Sequence, residues 1–244
     1  MRQLLTTILF LLAAAMSANT QAAVVSDYST YATKAQRFFD NREWASAAAM
    51  YQLMVSMRPE VKSTYPRAIV VEGIRHKHDS QMEFFDAALR QNIPFDSLLS
   101  QVRELSFACG QSELYEQFLH TLSSTHRWME RVVDGYLLNY YSFRCNGPQI
   151  VAYSRKMLVG LPDDVRYLGM MARGYLLQGD MKSAMNVYRH IIDISPDNFD
   201  ALLYLGNYYA DTATNIPEAI KYLRKAYEVR PTPYVQARLA KLTT

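Results

Sequence analysis

Five of the nine prolines in this 244-residue chain recur at a nearly constant interval. The intervals are 35, 68, 34 and 35 residues, along the series Pro59, Pro94, Pro162, Pro196 and Pro231. Because 68 is twice 34, one proline position is missing, near His126 to Trp128. A period of about 34 residues is typical of a stacked array in which each unit buries its apolar face against its neighbours. The sequence therefore predicts a repeat protein.

The segment 165–196 shows what one unit contains. Its first half has apolar residues spaced i, i+3, i+4 and i+7, which is one face of a helix: Leu168, Met171, Ala172 and Tyr175. Gly179 and Asp180 interrupt this pattern, and Ala184, Tyr188, Ile191 and Ile192 then form a second apolar face. Pro196 and Asp197 are expected to end the second helix and to cap the next one. The unit is therefore predicted to be a helix hairpin.

This pattern resembles the tetratricopeptide repeat (TPR), a 34-residue hairpin with large, small and aromatic residues at fixed positions. The segment 165–196 matches through Leu168, Met171, Ala172, Tyr175, Gly179, Ala184, Tyr188 and Pro196. The next unit matches through Leu202, Leu205, Gly206, Tyr209, Ala219, Ala226 and Pro231, and the first through Tyr31, Ala35, Phe38, Ala47, Tyr51 and Pro59. In the middle units, the positions where the two helices cross hold larger residues: Val70, Met82, Val102 and Leu114. Small residues at these positions would let the helices approach one another closely.

The resemblance implies an all-α fold, a right-handed α-solenoid of about six TPR-like hairpins with a C-terminal capping helix. The solenoid is expected to span 23–244. Its predicted repeats are 28–61, 62–94, 95–127, 128–164, 165–198 and 199–232, followed by a cap helix at 233–242. Arg238 and Lys241 suit a cap that faces water on one side.

The first 22 residues have the composition of a signal peptide. Arg2 precedes an apolar run from Leu4 to Ala15, which is too short to span a bilayer, and small residues follow up to Ala22 and Ala23. We expect cleavage before Ala23 or Val24 and no membrane insertion of the mature chain, which would be periplasmic or secreted.

Catalytic and cofactor motifs are missing from the sequence, so we expect no enzymatic activity, no metal and no cofactor. His76 and His78 lie between Arg75 and Lys77, whose charges would repel a metal ion. Asp163 and Asp164 follow Pro162 at a predicted helix start, where capping explains them better than acid-base catalysis. With 26 basic and 23 acidic residues, the charge balance does not favour nucleic acid as a partner.

The two cysteines, Cys109 and Cys145, end similar tetrapeptides 36 residues apart, Ser-Phe-Ala-Cys and Ser-Phe-Arg-Cys. Export would permit a disulfide between them. Equivalent points on adjacent packed helices are typically about 8–10 Å apart, farther than the roughly 7 Å that a disulfide allows between Cα atoms. The sequence therefore leaves two alternatives for these cysteines, a disulfide between them or two free thiols.

In TPR arrays the first helix of each hairpin lines a concave groove. The positions of the repeat that face this groove correspond in this chain to Tyr136, Asn139, Arg166, Arg173, Asp200, Leu203 and Asn207. Two arginines beside aromatic and amide side chains suit an extended or acidic peptide. The prediction is a non-enzymatic scaffold or adaptor of the bacterial cell envelope that binds a segment of another envelope protein. The alternative is an accessory subunit of a cell-wall or glycan-processing complex, in which the abundant tyrosines would stack on sugar rings.

Overall fold

Helices make up all the regular structure of this protein in its computed structural model, which describes residues 27–243. No strand occurs within those residues, which confirms the all-α fold class. The first helix, α1, covers residues 27–40 of the described chain. The others are α2 (Trp44–Met57), α3 (Thr64–Ile74), α4 (His78–Arg90), α5 (Phe95–Ala108), α6 (Ser112–Thr125), α7 (Glu130–Phe143), α8 (Gly147–Leu158), α9 (Val165–Leu177), α10 (Met181–Ile194), α11 (Phe199–Asp211), α12 (Ile216–Val229) and α13 (Pro233–Thr243), with a 3₁₀ helix at Arg127–Met129.

The described chain divides between residues 122 and 123 into two compact units, called unit 1 (residues up to 122) and unit 2 (residues from 123) below. Each predicted repeat segment contains two of the helices, and α13 occupies the predicted cap segment. In unit 2 every helix from α7 to α13 packs on the next one in sequence. The predicted signal peptide, residues 1–22, lies outside the described residues. Within 27–243, no helix has both the length and the apolar character needed to cross a membrane.

Side-chain caps distinguish the helices of unit 2. From α8 to α12 each helix has an Asn or Asp cap that accepts a backbone N–H: Asn146, Asp164, Asp180, Asn198 and Asn215. Helices α2 to α5 have no such side-chain cap bond. The capping interpretation of Asp164 is confirmed, whereas the predicted cap at Asp197 is wrong, because the neighbouring Asn198 caps α11.

We expect Asn198→Ala to lower the free energy of unfolding by about 0.5–2 kcal/mol, the usual cost of losing an N-cap. The Asn198 side chain accepts a hydrogen bond from the backbone N–H of Ala201 at 3.0 Å, and alanine would leave that donor without this partner. Urea denaturation followed by circular dichroism measures the change. The control is Asn139→Ala, an exposed change within α7, and an equal loss in both variants would contradict the capping role.

The missing proline position is occupied by the 3₁₀ helix Arg127–Met129. His126 precedes it with φ −118°, and the backbone N–H of Met129 bonds to the carbonyl of His126 at 2.8 Å. This turn leads directly into α7. The division between the two units falls close by, at residues 122 and 123.

Close backbone approach in unit 2 requires small residues. A Cβ built on Gly206 would lie 2.7 Å from Leu223 Cγ, so α11 and α12 can cross only where residue 206 lacks a side chain. Gly174 of α9 and Gly147 of α8 face one another, and a Cβ on Gly147 would lie 2.8 Å from the Gly174 carbonyl oxygen. The small residues at the helix-crossing positions therefore have a packing reason.

The core of unit 1 relies on larger side chains. Phe118 is fully buried, and its ring makes an edge contact with Phe85 at a centroid distance of 5.9 Å. Phe85 makes a second edge contact, at 6.2 Å, with Phe95 at the start of α5. The larger residues at the crossing positions, Val70, Met82, Val102 and Leu114, are all buried. The second and third repeats of unit 1 thus fill with larger side chains the crossings that unit 2 makes at alanine and glycine.

Candidate interaction surface

The predicted groove residues lie on α7, α9 and α11 of unit 2, the first helices of the last three predicted repeats. Asn139, Arg166, Arg173 and Asp200 are exposed, and Tyr136 is half-buried. These five residues are accessible to a partner. Their role in binding stays a prediction.

Arg166 is held in place by its own helix cap. Its guanidinium donates to Asp164 Oδ2 at 2.8 Å and lies 5.5 Å from the centre of the Tyr167 ring. Hydrogen bonding from Arg166 lowers the pKa of the Asp164 carboxyl, and the carboxylate in turn raises the pKa of Arg166. A partner carboxylate at this position would share the guanidinium with Asp164.

The predicted residues Leu203 and Asn207 contact the C-terminal part of the chain. Leu203 packs against the core cluster that contains Val235 of α13. The Asn207 side-chain oxygen accepts from Arg238 Nε at 3.0 Å, and the Arg238 guanidinium also pairs with Asp211. Of the two charged residues expected to suit a water-facing cap, Lys241 is exposed, whereas the Arg238 guanidinium binds α11. Asn207 has a partner within the chain at the position where a ligand was predicted.

Sequence reasoning missed an apolar stripe on α7. Trp128, Val132 and Phe143 are 76%, 53% and 74% exposed, although large apolar residues are usually buried. With Tyr136 and Asn139 they follow the spacing i, i+4, i+8, i+11 and i+15, which places all five on one face of the helix and the turn before it.

The signal for this stripe was present as a second apolar periodicity in α7. The buried face of the helix is formed by Val133, Leu137, Leu138, Tyr140 and Tyr141, which accounts for the core. Trp128, Val132 and Phe143 lie outside that set and are mostly exposed. A helix with an apolar face directed to the core and another directed to solvent is typical of a binding surface.

Tyrosines of unit 2 form a continuous array of ring contacts. The Tyr188 and Tyr204 rings stack at 4.3 Å, Tyr208 lies next to Tyr204 at 6.3 Å, and the array continues to Tyr209 and Tyr222. Burial raises the pKa of the Tyr188, Tyr204 and Tyr222 hydroxyls. These five tyrosines therefore hold α10, α11 and α12 together.

Two arginines link successive repeats in the same way. Arg155 of α8 donates to the Tyr175 hydroxyl of α9 at 2.6 Å, and Arg189 of α10 donates to the Tyr209 hydroxyl of α11. Each pair is 20 residues apart, and the second pair follows the first by 34 residues. The period of the sequence is thus repeated in its polar contacts.

The histidines and cysteines form no common site within the described residues. His76 and His78 are exposed, with their rings 6.5 Å apart, and residues 27–243 contain no group of three side chains that could hold a metal ion. Cys109 and Cys145 are both free thiols, the first buried and the second exposed. Of the two alternatives for these cysteines, the structure contains the free thiols. Cys145 has φ +52°, whereas Cys109 keeps a helical φ of −74° before Gly110, so their similar tetrapeptides end differently.

We expect two alkylated thiols per chain when the unreduced protein is denatured and treated with iodoacetamide. In the folded protein Cys145 should react first, because burial raises the pKa of the Cys109 thiol and restricts access to it. Mass spectrometry of the intact chain and its peptides measures both rates. An increase in mass from alkylation that occurs only after reduction would contradict the free-thiol state.

Known proteins resemble this chain in part of its sequence and in its fold. Residues 165–198 match the family model described as tetratricopeptide repeat. No curated protein matches the chain. The C-terminal part of a TPR repeat-containing protein from Cytophaga hutchinsonii is similar over 85% of this chain and 83% of that one, at 16% identity and a TM-score of 0.50. A crystal structure described as a putative protein binding protein from Bacteroides ovatus is similar over 71% of this chain and 96% of that one, at 19% identity and a TM-score of 0.55.

At identities below 20% these similarities concern the fold alone. The family match covers the unit with the clearest helix hairpin, α9 and α10, and the structural similarity extends over most of the chain. The chain therefore carries a tetratricopeptide repeat at residues 165–198, within an all-α fold that resembles the solved TPR structure from Cytophaga hutchinsonii.

Proposed function

We propose that this protein is a non-enzymatic interaction scaffold of the bacterial cell envelope, which binds a segment of a partner protein on α7 and α9. The observation that carries the proposal is the exposure of large apolar side chains at Trp128, Val132 and Phe143, at and just before α7, and of Arg166 and Arg173 on α9. Interface cores are enriched in aromatic residues and arginine relative to the rest of a protein surface. The matched repeat at 165–198 and the similar fold of a putative protein binding protein support it.

The glycan-complex alternative rests on the tyrosine content. Five of the 18 tyrosines stack on one another in unit 2, which uses ring faces that a sugar would need. The scaffold proposal does not require exposed faces of tyrosine rings. We therefore favour the scaffold.

Affinity capture with crosslinking in envelope extracts tests the scaffold. The test variant is Arg166→Glu/Arg173→Glu on α9, and we expect it to lose the captured partner because it replaces the cations of that face. The matched control is Arg224→Glu/Lys225→Glu on α12, where both side chains are exposed and the charge change is the same. Circular dichroism first establishes that both variants fold. Equal recovery of partners by all forms would exclude the α9 face.

The envelope location has a separate test. We expect the mature chain to begin at Ala23 or Val24 and to fractionate with the periplasm or the medium. Mass spectrometry of the N-terminal peptide from each fraction measures this. A chain that retains residues 1–22 in the cytoplasmic fraction would overturn the envelope proposal while leaving the scaffold proposal intact.

A further inference from the structure

Two buried polar groups of unit 1 have no hydrogen-bond partner within residues 27–243: the Tyr51 hydroxyl on α2 and the Arg67 Nε on α3. Tyr51 is only 2% exposed, and its side chain belongs to the core. Buried hydroxyl and N–H groups almost always have a partner, because burial removes their hydration and a hydrogen bond must compensate for it. These two groups therefore need an acceptor that the described residues do not supply.

The two groups lie in one region of unit 1. Helices α2 and α3 pack together, and the positive charge of Arg67 acts on the Tyr51 hydroxyl. Burial raises the pKa of this hydroxyl, and the Arg67 charge opposes the increase. The hydroxyl is therefore protonated at neutral pH and can donate a hydrogen bond. Because an arginine Nε is only a donor, the region holds two unused donors.

Arginine and tyrosine side chains of unit 2 bond to one another directly. Arg155 donates to the Tyr175 hydroxyl at 2.6 Å, and a second pair of this kind follows 34 residues later. In unit 1, Arg67 and Tyr51 form no such bond. Arg67 also forms no ion pair with a residue in the described part of the chain. A group that accepts hydrogen bonds from both side chains would complete this pair.

The charges in this region favour an anion at the hydroxyl. Of the charges that act on the Tyr51 hydroxyl, that of Arg67 has the largest effect and that of Asp40 the next. Asp40 is exposed at the end of α1, and its carboxylate accepts from Gln36 Nε2 at 2.8 Å. Cys109 also acts on the hydroxyl, but burial raises the pKa of its thiol, which is therefore neutral at neutral pH. The cation of Arg67 thus dominates.

A carboxylate matches the two donors and the charge. Its two oxygens accept hydrogen bonds from a guanidinium N–H and from a hydroxyl, and its single charge balances that of Arg67. A phosphate group carries close to two charges and three strong acceptor oxygens, and Asp40 would repel it more strongly. Water would accept from both donors but would leave the charge of Arg67 without a counter-ion. Arg67 is half-buried, so a group from solution can contact its side chain.

The depth of the Tyr51 hydroxyl favours a side-chain carboxylate over a chain terminus. Because protein interiors are closely packed, a group that reaches this hydroxyl must be carried on a narrow stem. A glutamate carboxylate lies at the end of two unbranched methylene groups. A C-terminal carboxylate is attached to a Cα that also carries a side chain and an amide. The glutamate side chain is therefore the better fit.

We propose that Arg67 and Tyr51 form a carboxylate-binding site in unit 1, which takes the side-chain carboxylate of a glutamate in a partner segment. The Arg67 Nε–H and the Tyr51 hydroxyl donate to its two oxygens. This site lies on α2 and α3 and goes beyond the scaffold proposal, which concerns α7 and α9. Neither proposal depends on the other.

NMR of arginine side chains tests the site in the full protein labelled with ¹⁵N. The Nε–H signal of Arg67 is identified by its loss in the Arg67→Lys variant. The probes are sodium acetate, sodium phosphate and acetamide, the neutral counterpart of acetate, at an ionic strength kept constant with sodium chloride. We expect acetate to move the signal to saturation, phosphate to bind at least about tenfold more weakly, and acetamide to have no effect. No response to acetate, or an equal affinity for phosphate, would overturn the proposal.

Matched variants examine the hydroxyl. Tyr51→Phe keeps the buried ring and is expected to weaken acetate binding at least about tenfold, because a hydrogen bond to a charged group is lost. The control is Tyr115→Phe, another buried tyrosine of unit 1, on whose hydroxyl Arg103 acts in place of Arg67. We expect the control to leave the acetate affinity unchanged. Circular dichroism establishes that both variants fold. Equal acetate affinity in the two variants would contradict the role of the Tyr51 hydroxyl and, with it, the proposal.

Three short peptides identify the source of the carboxylate. Acetyl-Ala-Ala-Glu-Ala-Ala-amide presents a side-chain carboxylate, and the same peptide with Gln in place of Glu presents none. Acetyl-pentaalanine with a free C-terminus presents a terminal carboxylate. We expect the Glu peptide to move the Arg67 signal and the other two to bind at least about tenfold more weakly. Movement with the free C-terminus alone would assign the site to a chain terminus, and movement with acetate alone would assign it to a small free anion. Either result would overturn the proposal.

Discussion

Phe118→Ala is expected to lower the free energy of unfolding of unit 1 by about 3–5 kcal/mol, the usual cost of replacing a buried phenylalanine with alanine. Phe118 is fully buried, and its ring touches Phe85, which in turn contacts Phe95 at the start of α5. Truncation would remove the apolar surface of the ring and leave a cavity beside the ring of Phe85. Because domain stability is typically only about 5–15 kcal/mol, this single change would remove a large share of it.

Urea denaturation measures this loss. Trp44 lies in unit 1 and Trp128 in unit 2, so single-tryptophan backgrounds follow the two units separately. The control is Phe143→Ala, the same substitution at a 74% exposed position, for which the expected change is within about 0.5 kcal/mol. Similar losses in both variants would mean that burial does not set the contribution of Phe118.

Gly174→Ala is expected to lower the free energy of unfolding by about 1–3 kcal/mol through overpacking. A Cβ at this position would lie 2.8 Å from Val151 Cγ2 and 3.0 Å from both the Gly147 carbonyl oxygen and Ile150 Cγ2. One of these atoms belongs to the backbone of α8, which can move only if the two helices separate. The loss should therefore exceed the helix propensity gained by replacing glycine.

Gly169→Ala is the matched control on the same helix. Nothing lies within 4 Å of a Cβ built there, so only the propensity gain remains, and we expect an increase in stability of about 0.5–1 kcal/mol. Circular dichroism in urea compares the two variants. The same sign of change in both would contradict the assignment of Gly174 to a close helix contact.

Local signals in the sequence predicted the helix hairpins well. The apolar spacing of Leu168 and Tyr175 and the Asp164 cap depend on residues within about two helical turns of one another, because an α-helix is formed by i to i+4 contacts. The family match to residues 165–198 falls on the unit that has the clearest spacing. The weaker pattern of the second and third repeats corresponds to helices α3 to α5 without side-chain caps and to crossings formed by larger residues.

The candidate site was predicted less completely. Positions carried over from the repeat pattern placed Arg166 and Arg173 on an exposed face, but the pattern could not show that Arg238, 31 residues after Asn207, would donate to it. The pattern gave no sign that Trp128, Val132 and Phe143 are exposed, because a hydrophobic side chain in a repeat helix is usually buried. Which apolar residues remain exposed depends on the neighbours that cover them.

The sequence by itself determined that this protein is an all-α array of helix hairpins, because helix formation and its interruption are set by local spacing, caps and prolines. Only the tertiary structure decided that α13 covers the end of α11, that Cys145 is exposed while Cys109 is buried, and that α7 presents a second apolar face to solvent. The physical reason is that exposure is a property of packing between helices distant in sequence, and the repeat period does not contain those contacts.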